Sequence, residues 1–475
     1  MSEENGNNSS TNSGENNSPA PPDESRRNFL KLGLAGAGVA AAAATGVTIV
    51  KRMEGIPHDE FPLPIRDDFK PIDQRNQINV FGKSKMLNDK HPERNRAFNE
   101  QLKKENPQGF KEFNFYEDNK TFMSGPYRDT AGFSQLEFAL ARAGFSSARQ
   151  QLGGGGMEGP KHPNSVSHWR QDMLSEDKYQ FASPQQANLA IKSAARTFGA
   201  VRCGITKRDK RWDYDPMYDV HTDKVLTWEK DFPFEPKTVI VIMVEMDYHA
   251  IAAAPSWLGD ATVGDAYANA IKIAGQINVF LQGLGYQAVA SMNDVGINAP
   301  YAVAAGLAEG GRNGQVITPH YGPRVRISKV YTDLDLVEYD KPRTYGVASF
   351  CKHCKRCAVS CPSQAITHGD PTWEPAYSSD PEYIWHASPG VLKFHNDAKK
   401  CNKFWIDNDG SCANCICACP YNKPDFWHHR LVDAQNVIAP GPVHSFMREM
   451  DIIFGYGKVS DPDRVRKFWK LGKEV

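Results

Sequence analysis

Cys351-Lys-His-Cys354-Lys-Arg-Cys357-Ala-Val-Ser-Cys361-Pro362 is the stretch from which the rest of the chain can be read. Its spacing is C-x₂-C-x₂-C-x₃-C-P. Three thiolates on one tight loop can reach three irons of a [4Fe–4S] cube, and the fourth, ahead of a proline, points to a second cube. A second set follows at Cys401, Cys412-Ala-Asn-Cys415 and Cys419-Pro420. Nine of the ten cysteines lie between Cys351 and Pro420 and eight fit the two-cube pattern. The crossed pattern assigns Cys351, Cys354, Cys357 and Cys419 to cluster one. It assigns Cys361, Cys401, Cys412 and Cys415 to cluster two, and leaves Cys417 as a packed thiol. The competing readings are two zinc sites or a disulfide set. Zinc usually uses C-x₂-C pairs without a third cysteine and a terminal C-P.

The remaining composition is balanced. The chain has 475 residues, zero formal net charge, 40% hydrophobic and 11% aromatic residues. That is enough for two or three domains with a large core. Zero net charge and the lack of a basic patch give no footprint for nucleic acid. Residues 1–24 are rich in Asn, Ser, Glu and Pro and are expected to be disordered. Ser25-Arg26-Arg27-Asn28-Phe29-Leu30-Lys31 matches the twin-arginine export pattern. The uncharged, Ala/Gly-rich run Leu32–Val50 then reads as a signal h-region rather than a membrane anchor, with cleavage near Ala40–Ala44. Iron–sulfur clusters must be loaded in a reducing compartment, and a route that exports folded cargo permits that. The mature protein is therefore expected at the outer, periplasmic face of the cytoplasmic membrane.

Residues 51–180 read as loop-rich. Gly153–Gly156 has no following Lys-Ser/Thr and reads as a surface loop. Ser183-Pro184-Gln185-Gln186 reads as an N-cap, a first-turn proline and a capping-box Gln. The apolar face of that helix is expected to be Leu189, Ala190, Ala194 and Phe198, with Gly199 as the stop. Strands are expected at Ala200–Ile205, Thr238–Met246 and Gln287–Ser291. Helices are expected at Asp265–Leu284 and Pro300–Ala308, the first with Tyr267, Ile271, Ala274, Asn278 and Leu281 on one face. Strands alternating with helices argue for an α/β or α+β layered body. Asp219-Val220-His221 begins a D-x-H-x-x-G pattern, but Lys224 stands where Gly belongs, so His221 reads as an ordinary loop histidine. Tyr248 and His249 read as neighbours of a strand end.

A twin-arginine signal, a long α/β body and two C-terminal ferredoxin motifs occur together in few families. With the phrases Ala305-Gly-Leu-Ala-Glu309-Gly-Gly-Arg312-Asn-Gly, Tyr321-Gly-Pro-Arg324, Tyr331-Thr-Asp-Leu-Asp-Leu336 and Phe454-Gly-Tyr-Gly457, the chain resembles the corrinoid-dependent reductive dehalogenases of organohalide-respiring bacteria. The resemblance covers most of residues 25–470. It implies an α+β fold, with a layered, nitroreductase-like α/β corrinoid-binding body and a C-terminal ferredoxin-like domain carrying two [4Fe–4S] clusters. The implied division is 1–50 (disordered N-terminus and signal), 51–180 (loop-rich part), 181–340 (corrinoid-binding and catalytic core), 341–430 (cluster domain) and 431–475 (C-terminal arm).

The resemblance also implies the site. Tyr267 matches the proton donor, Asn293 the supporting amide and Arg326 its cationic partner, ranked over Arg324 by position in the motif. The corrinoid is implied to be held base-off, so the incomplete histidine motif is no objection. The expected reaction is reductive cleavage of a carbon–halogen bond of a chlorinated ethene or a halogenated aromatic. Electrons pass from cluster two to cluster one to cobalt; whether cobalt meets carbon or halogen stays open. A small integral-membrane anchor protein and a menaquinone- or hydrogenase-linked electron donor are the implied partners. The alternatives are an epoxyqueuosine reductase-like enzyme and an exported iron–sulfur electron carrier without an activity of its own.

Overall fold

The computed structural model describes residues 130–151, 168–214, 224–293, 295–377, 392–408, 410–424 and 441–473, with a few isolated residues beside them. The export signal, the Gly153–Gly156 run and His221 lie outside the described residues. Every described residue belongs to one unit, His58–Val475. No described helix is long and apolar enough to cross a membrane.

In chain order the elements that matter are α1 (Gln135–Gln151), α2 (Pro184–Thr197), β1 (Arg202–Lys207), β2 (Met217–Asp219), β3 (Lys224–Leu226), β4 (Thr238–Glu245), α3 (Trp257–Gly283) and β5 (Ala288–Ser291). Then follow α4 (Asn298–Ala304), β6 (Glu309–Gly310), β7 (Val316–Ile317), β8 (Val325–Thr332), α5 (Val347–Cys354), α6 (Arg356–Val359), α7 (Ala398–Asp407), α8 (Asn414–Cys417), α9 (Gly441–Ile453) and α10 (Pro462–Lys470).

The central sheet runs β1-β4-β8-β5. Every neighbour pair in it is antiparallel, which makes the body α+β. β4 is buried on both faces because its even and odd residues point to opposite layers. Ile240, Ile242 and Val244 join α2 and α3 in one core, while Val239, Val241 and Met243 pack with Trp212, Trp228 and Tyr301 of α4 in the other. β8 was not apparent from the sequence, although it is the inner strand between β4 and β5. It carries Arg326 and Lys329 within Val-Arg-Ile-Ser-Lys-Val-Tyr-Thr, and two cations break the apolar pattern that marks a buried strand.

Local chemistry explains the element ends. Ser183 Oγ accepts from Gln186 N at 3.2 Å, and Gln186 Oε1 accepts from Ala182 N at 2.6 Å, closing the first turn of α2. The buried face of α2 is Ala187, Ile191 and Ala195, and Leu189 is 68% exposed. The expected stripe was thus one position out of register at Leu189; Ala190, Ala194 and Phe198 do pack on the core. α3 begins at Trp257, two turns before the expected start, because Trp257 and Leu258 are themselves buried. Tyr267 therefore sits three turns inside the helix rather than near its start.

Candidate active site

β5 ends at Ser291 and pairs only with Lys329–Thr332 of β8. The edge of β8 from Val325 to Ser328 has no strand beside it among the described residues. Asn298 Nδ2 donates to Ile327 O at 3.0 Å, taking the place of a ladder bond. A cavity of about 120 Å³ opens at this bare edge, lined among others by Tyr267, Asn293, Asn298, Gln315 and Arg326. The three residues implied by resemblance thus meet in one place, from α3, the turn after β5, and β8.

Sheet register explains the meeting. Arg326, Ser328 and Val330 share the face that packs on α3. Ser328 Oγ donates to Ala270 O of α3 at 2.8 Å. Arg326 Cζ lies 5.0 Å from the centroid of the Tyr267 ring, a cation–π distance. The Arg326 Nε is buried without a hydrogen-bond partner. Arg324 is occupied elsewhere: it pairs with Glu245 and donates to Asn422 Oδ1 at 2.9 Å and to Met246 O at 2.6 Å. Arg324 precedes β8 and is held by Glu245, Met246 and Asn422, so Arg326, inside the strand, is the arginine beside Tyr267.

Asn293 is held from the opposite face. Its Oδ1 accepts from Asn298 Nδ2 at 2.6 Å. Asn298 Oδ1 accepts from Lys329 Nζ at 2.7 Å, and Lys329 also donates to Met292 O and Gly296 O at 2.7 and 2.8 Å. Lys329 is fully buried. An ammonium is tolerated there because its three protons meet three oxygens. Neither Lys329 nor Asn298 was singled out from the sequence. A lysine inside a β-branched run was the available signal. Tyr248 and His249 are not among the residues lining this cavity, nor is any histidine.

The cysteines form a second centre. All ten are free thiols. Among the described residues, no group of three or more His, Cys, Asp or Glu is arranged to hold a single metal ion. Cys351, Cys354, Cys357 and Cys419 line one common cavity with Arg312, Asn313 and Tyr421. The other four interact among themselves, as Cys401, Cys412 and Cys415 each feel the charge of Cys361. The two sets are built alike. Lys355 follows Cys354 at φ 54° and starts α6 with Cys357; Ala413 follows Cys412 at φ 55° and starts α8 with Cys415. Left-handed backbone at a non-glycine residue is costly and needs a reason. Here it turns two successive cysteines of each motif toward one point. Burial pushes the Cys351 and Cys415 thiols up to about 12. A metal bound by these thiols would have to displace their protons. Cys417 is buried, with Sγ 3.7 Å from Ala252 O, and faces the main core.

Asp260 joins this region to α3. Its carboxylate accepts from Ser411 N at 3.0 Å and from Ser411 Oγ, just ahead of Cys412. Burial pushes the carboxyl up to about 6, against the lowering effect of the Ser411 bonds and Arg326. A larger opening of about 710 Å³, along Lys272–Gln282 of α3, holds none of the expected site residues.

No protein-family model matches the chain. A tetrachloroethene reductive dehalogenase of Desulfitobacterium hafniense is 37% identical over 341 residues, covering 63% of this chain and 61% of the relative. The chain is thus similar in sequence to reductive dehalogenases. A second such enzyme, from Sulfurospirillum multivorans, is 33% identical over 301 residues, 58% of each chain. The chain thus spans about three-fifths of the length of these curated relatives. A solved reductive dehalogenase, described as suggesting a mechanism for B12-dependent dehalogenation, superposes with a TM-score of 0.54 at 21% identity. It covers 68% of this chain and 42% of that one. That likeness establishes the shared fold.

The residues present can be tested against the implied groups. The four-thiol cavity and the paired left-handed turns fit iron–sulfur clusters. The Tyr267 cavity is smaller than common ligand pockets. Its size is that of a small molecule rather than of a corrinoid ring.

Proposed function

We propose that the chain is a reductive dehalogenase, replacing a halogen on an organohalide by hydrogen with two electrons and one proton (R–X + 2 e⁻ + H⁺ → R–H + X⁻). The observation that carries this reading is the meeting of Tyr267, Asn293 and Arg326 around one small cavity whose β6–β7 wall also borders the four-cysteine cavity. A corrinoid like that of the B12-dependent relatives would supply low-potential cobalt chemistry, and Cys351, Cys354, Cys357 and Cys419 with Cys361, Cys401, Cys412 and Cys415 would hold two [4Fe–4S] clusters able to deliver electrons.

The chain's own residues supply the rest. Tyr267 carries a phenolic O–H beside the cavity and donates the incoming proton. Arg326 then stabilises the phenolate at short range. Asn293 adds a hydrogen bond, and Lys329 keeps it aimed through Asn298. Cys351, Cys354, Cys357 and Cys419 hold the cluster nearer the cavity; Cys361, Cys401, Cys412 and Cys415 hold the one that receives electrons first. The twin-arginine sequence supports work at the outer face of the cytoplasmic membrane. A small membrane-anchor protein and a menaquinone- or hydrogenase-linked donor would act there as partners.

Anaerobically purified protein, loaded with iron, sulfide and a corrinoid, should release halide when given a low-potential reductant. A panel of halogenated ethenes and phenols also identifies the substrate class. Protein that holds both clusters and a corrinoid yet releases no halide from any of them would overturn the proposal.

A further inference from the structure

The hairpin β6–β7 raises a question that the reaction does not answer. Arg312, in its turn, is only 1% exposed. Its Nε donates to Cys351 O at 2.9 Å, and its Nη1 donates to Thr367 O at 2.8 Å and Gly369 O at 2.7 Å. Its Cζ lies 4.3 Å from the centroid of the Phe394 ring. The guanidinium is therefore fixed on three sides, and every oxygen it meets is a neutral carbonyl. Its Nη2 is buried with no partner. Asn313, 4% exposed, repeats the pattern: its Oδ1 accepts from Gln315 N at 3.1 Å, while its Nδ2 is buried with no partner.

Both residues line the cavity of Cys351, Cys354, Cys357 and Cys419. An unsatisfied buried donor costs about 1–3 kcal/mol, and more when charged. Two such donors side by side, one of them cationic, mark the place of an anionic acceptor. A cluster held by four thiolates is such an acceptor. The backbone is shaped to present them: Gly314 sits at φ +74°, and a Cβ there would lie 2.3 Å from Asn396 Nδ2. The next residues, Gly314 to Val316, wall the Tyr267 cavity.

We propose that Arg312 and Asn313 are hydrogen-bond donors to the sulfurs of cluster one and set its reduction potential above the value its four thiolates alone would give. Hydrogen bonds and positive charge at cluster sulfurs favour the reduced, more negative state. This inference rests on the cluster reading proposed above. One hairpin thereby tunes the electron donor with its turn and shapes the substrate cavity with its second strand.

The test is an EPR-monitored redox titration of the fully loaded protein. Arg312→Gln should move the midpoint of one of the two clusters to lower potential and leave the other in place. Asn313→Asp keeps the acceptor for Gln315 N and replaces the donor by an anion, so it should shift the same cluster in the same direction. Asn313→Asp is the deciding variant if Arg312→Gln does not fold. Retention of all iron with both midpoints at their wild-type values would overturn the inference. Wild-type protein that takes up no iron under reconstitution would overturn the cluster reading itself, a separate outcome.

Discussion

The cysteine segment and the sheet body reach their sites by opposite routes. In the segment the functional side chains are neighbours in sequence: Cys354, a left-handed Lys355 and Cys357 form one turn, repeated at Cys412, Ala413 and Cys415. In the body Tyr267, Asn293 and Arg326 come from three elements and meet only because β8 pairs with β4 in one register, Val244 opposite Arg326. A one-residue slip of that register would turn Arg326 to the other face. Local spacing builds the first centre, and long-range pairing builds the second.

Substitutions can break or sharpen this contrast. The largest effect should come from the segment: Cys419→Ser should remove one cluster, halving iron content, and abolish turnover, whereas Cys417→Ser should keep all the iron. Iron analysis and EPR decide between them, and equal loss in both would break the two-set assignment. Tyr267→Phe should keep both cofactors and lose about 10²–10⁴-fold in turnover, the usual worth of a positioned proton donor. Wild-type halide release in that variant would remove Tyr267 from the chemistry.

Lys329→Met tests whether the body's centre depends on the far face of its sheet. It strands three acceptor oxygens at roughly 1–3 kcal/mol apiece before relaxation. Thermal stability should fall, and kcat should fall more than KM rises if Asn293 loses its aim. Loss of stability with unchanged kcat would reduce Lys329 to a structural prop.

Asp260 gives a smaller, pH-dependent effect. Its folded-state carboxyl titrates at about 6, above its ordinary value of 3.8. A raised folded value means that its favourable contribution is full below about 3.8 and is lost as pH rises through about 6. Asp260→Asn should therefore stabilise the fold at pH 7.5 by up to a few kcal/mol, seen as a raised thermal midpoint, and change it little at pH 4. A midpoint lowered at pH 7.5 would show that the charged form is the stabilising one.

The contrast also explains what the sequence disclosed. The cysteine pattern was legible because most of it is local, Cys351–Cys361 and Cys412–Cys419 each lying within a dozen residues. The helix stop at Gly199 and the cap at Ser183 were legible because backbone chemistry is local. β8 was not: its Arg326 and Lys329 disguise an inner strand, and each is tolerated only through partners elsewhere in the fold. Leu189 misled for a related reason, since helical periodicity alone does not choose the buried stripe and only burial in the shared core selects Ile191. Tyr267, Asn293 and Arg326 were reached by resemblance. Nothing in their spacing brings them together.

The early end of β5 has a consequence for how such a protein could change its diet. The cavity's floor is an unzippered margin of the sheet, so its length is set by where the ladder stops. Each further residue pair joined to β8 would close about 3.4 Å of that margin. Lengthening or shortening the 292–297 turn should therefore shift the largest halogenated molecule accepted while leaving the melting behaviour of the sheet nearly untouched. Selectivity would then be written in the length of a single short connection.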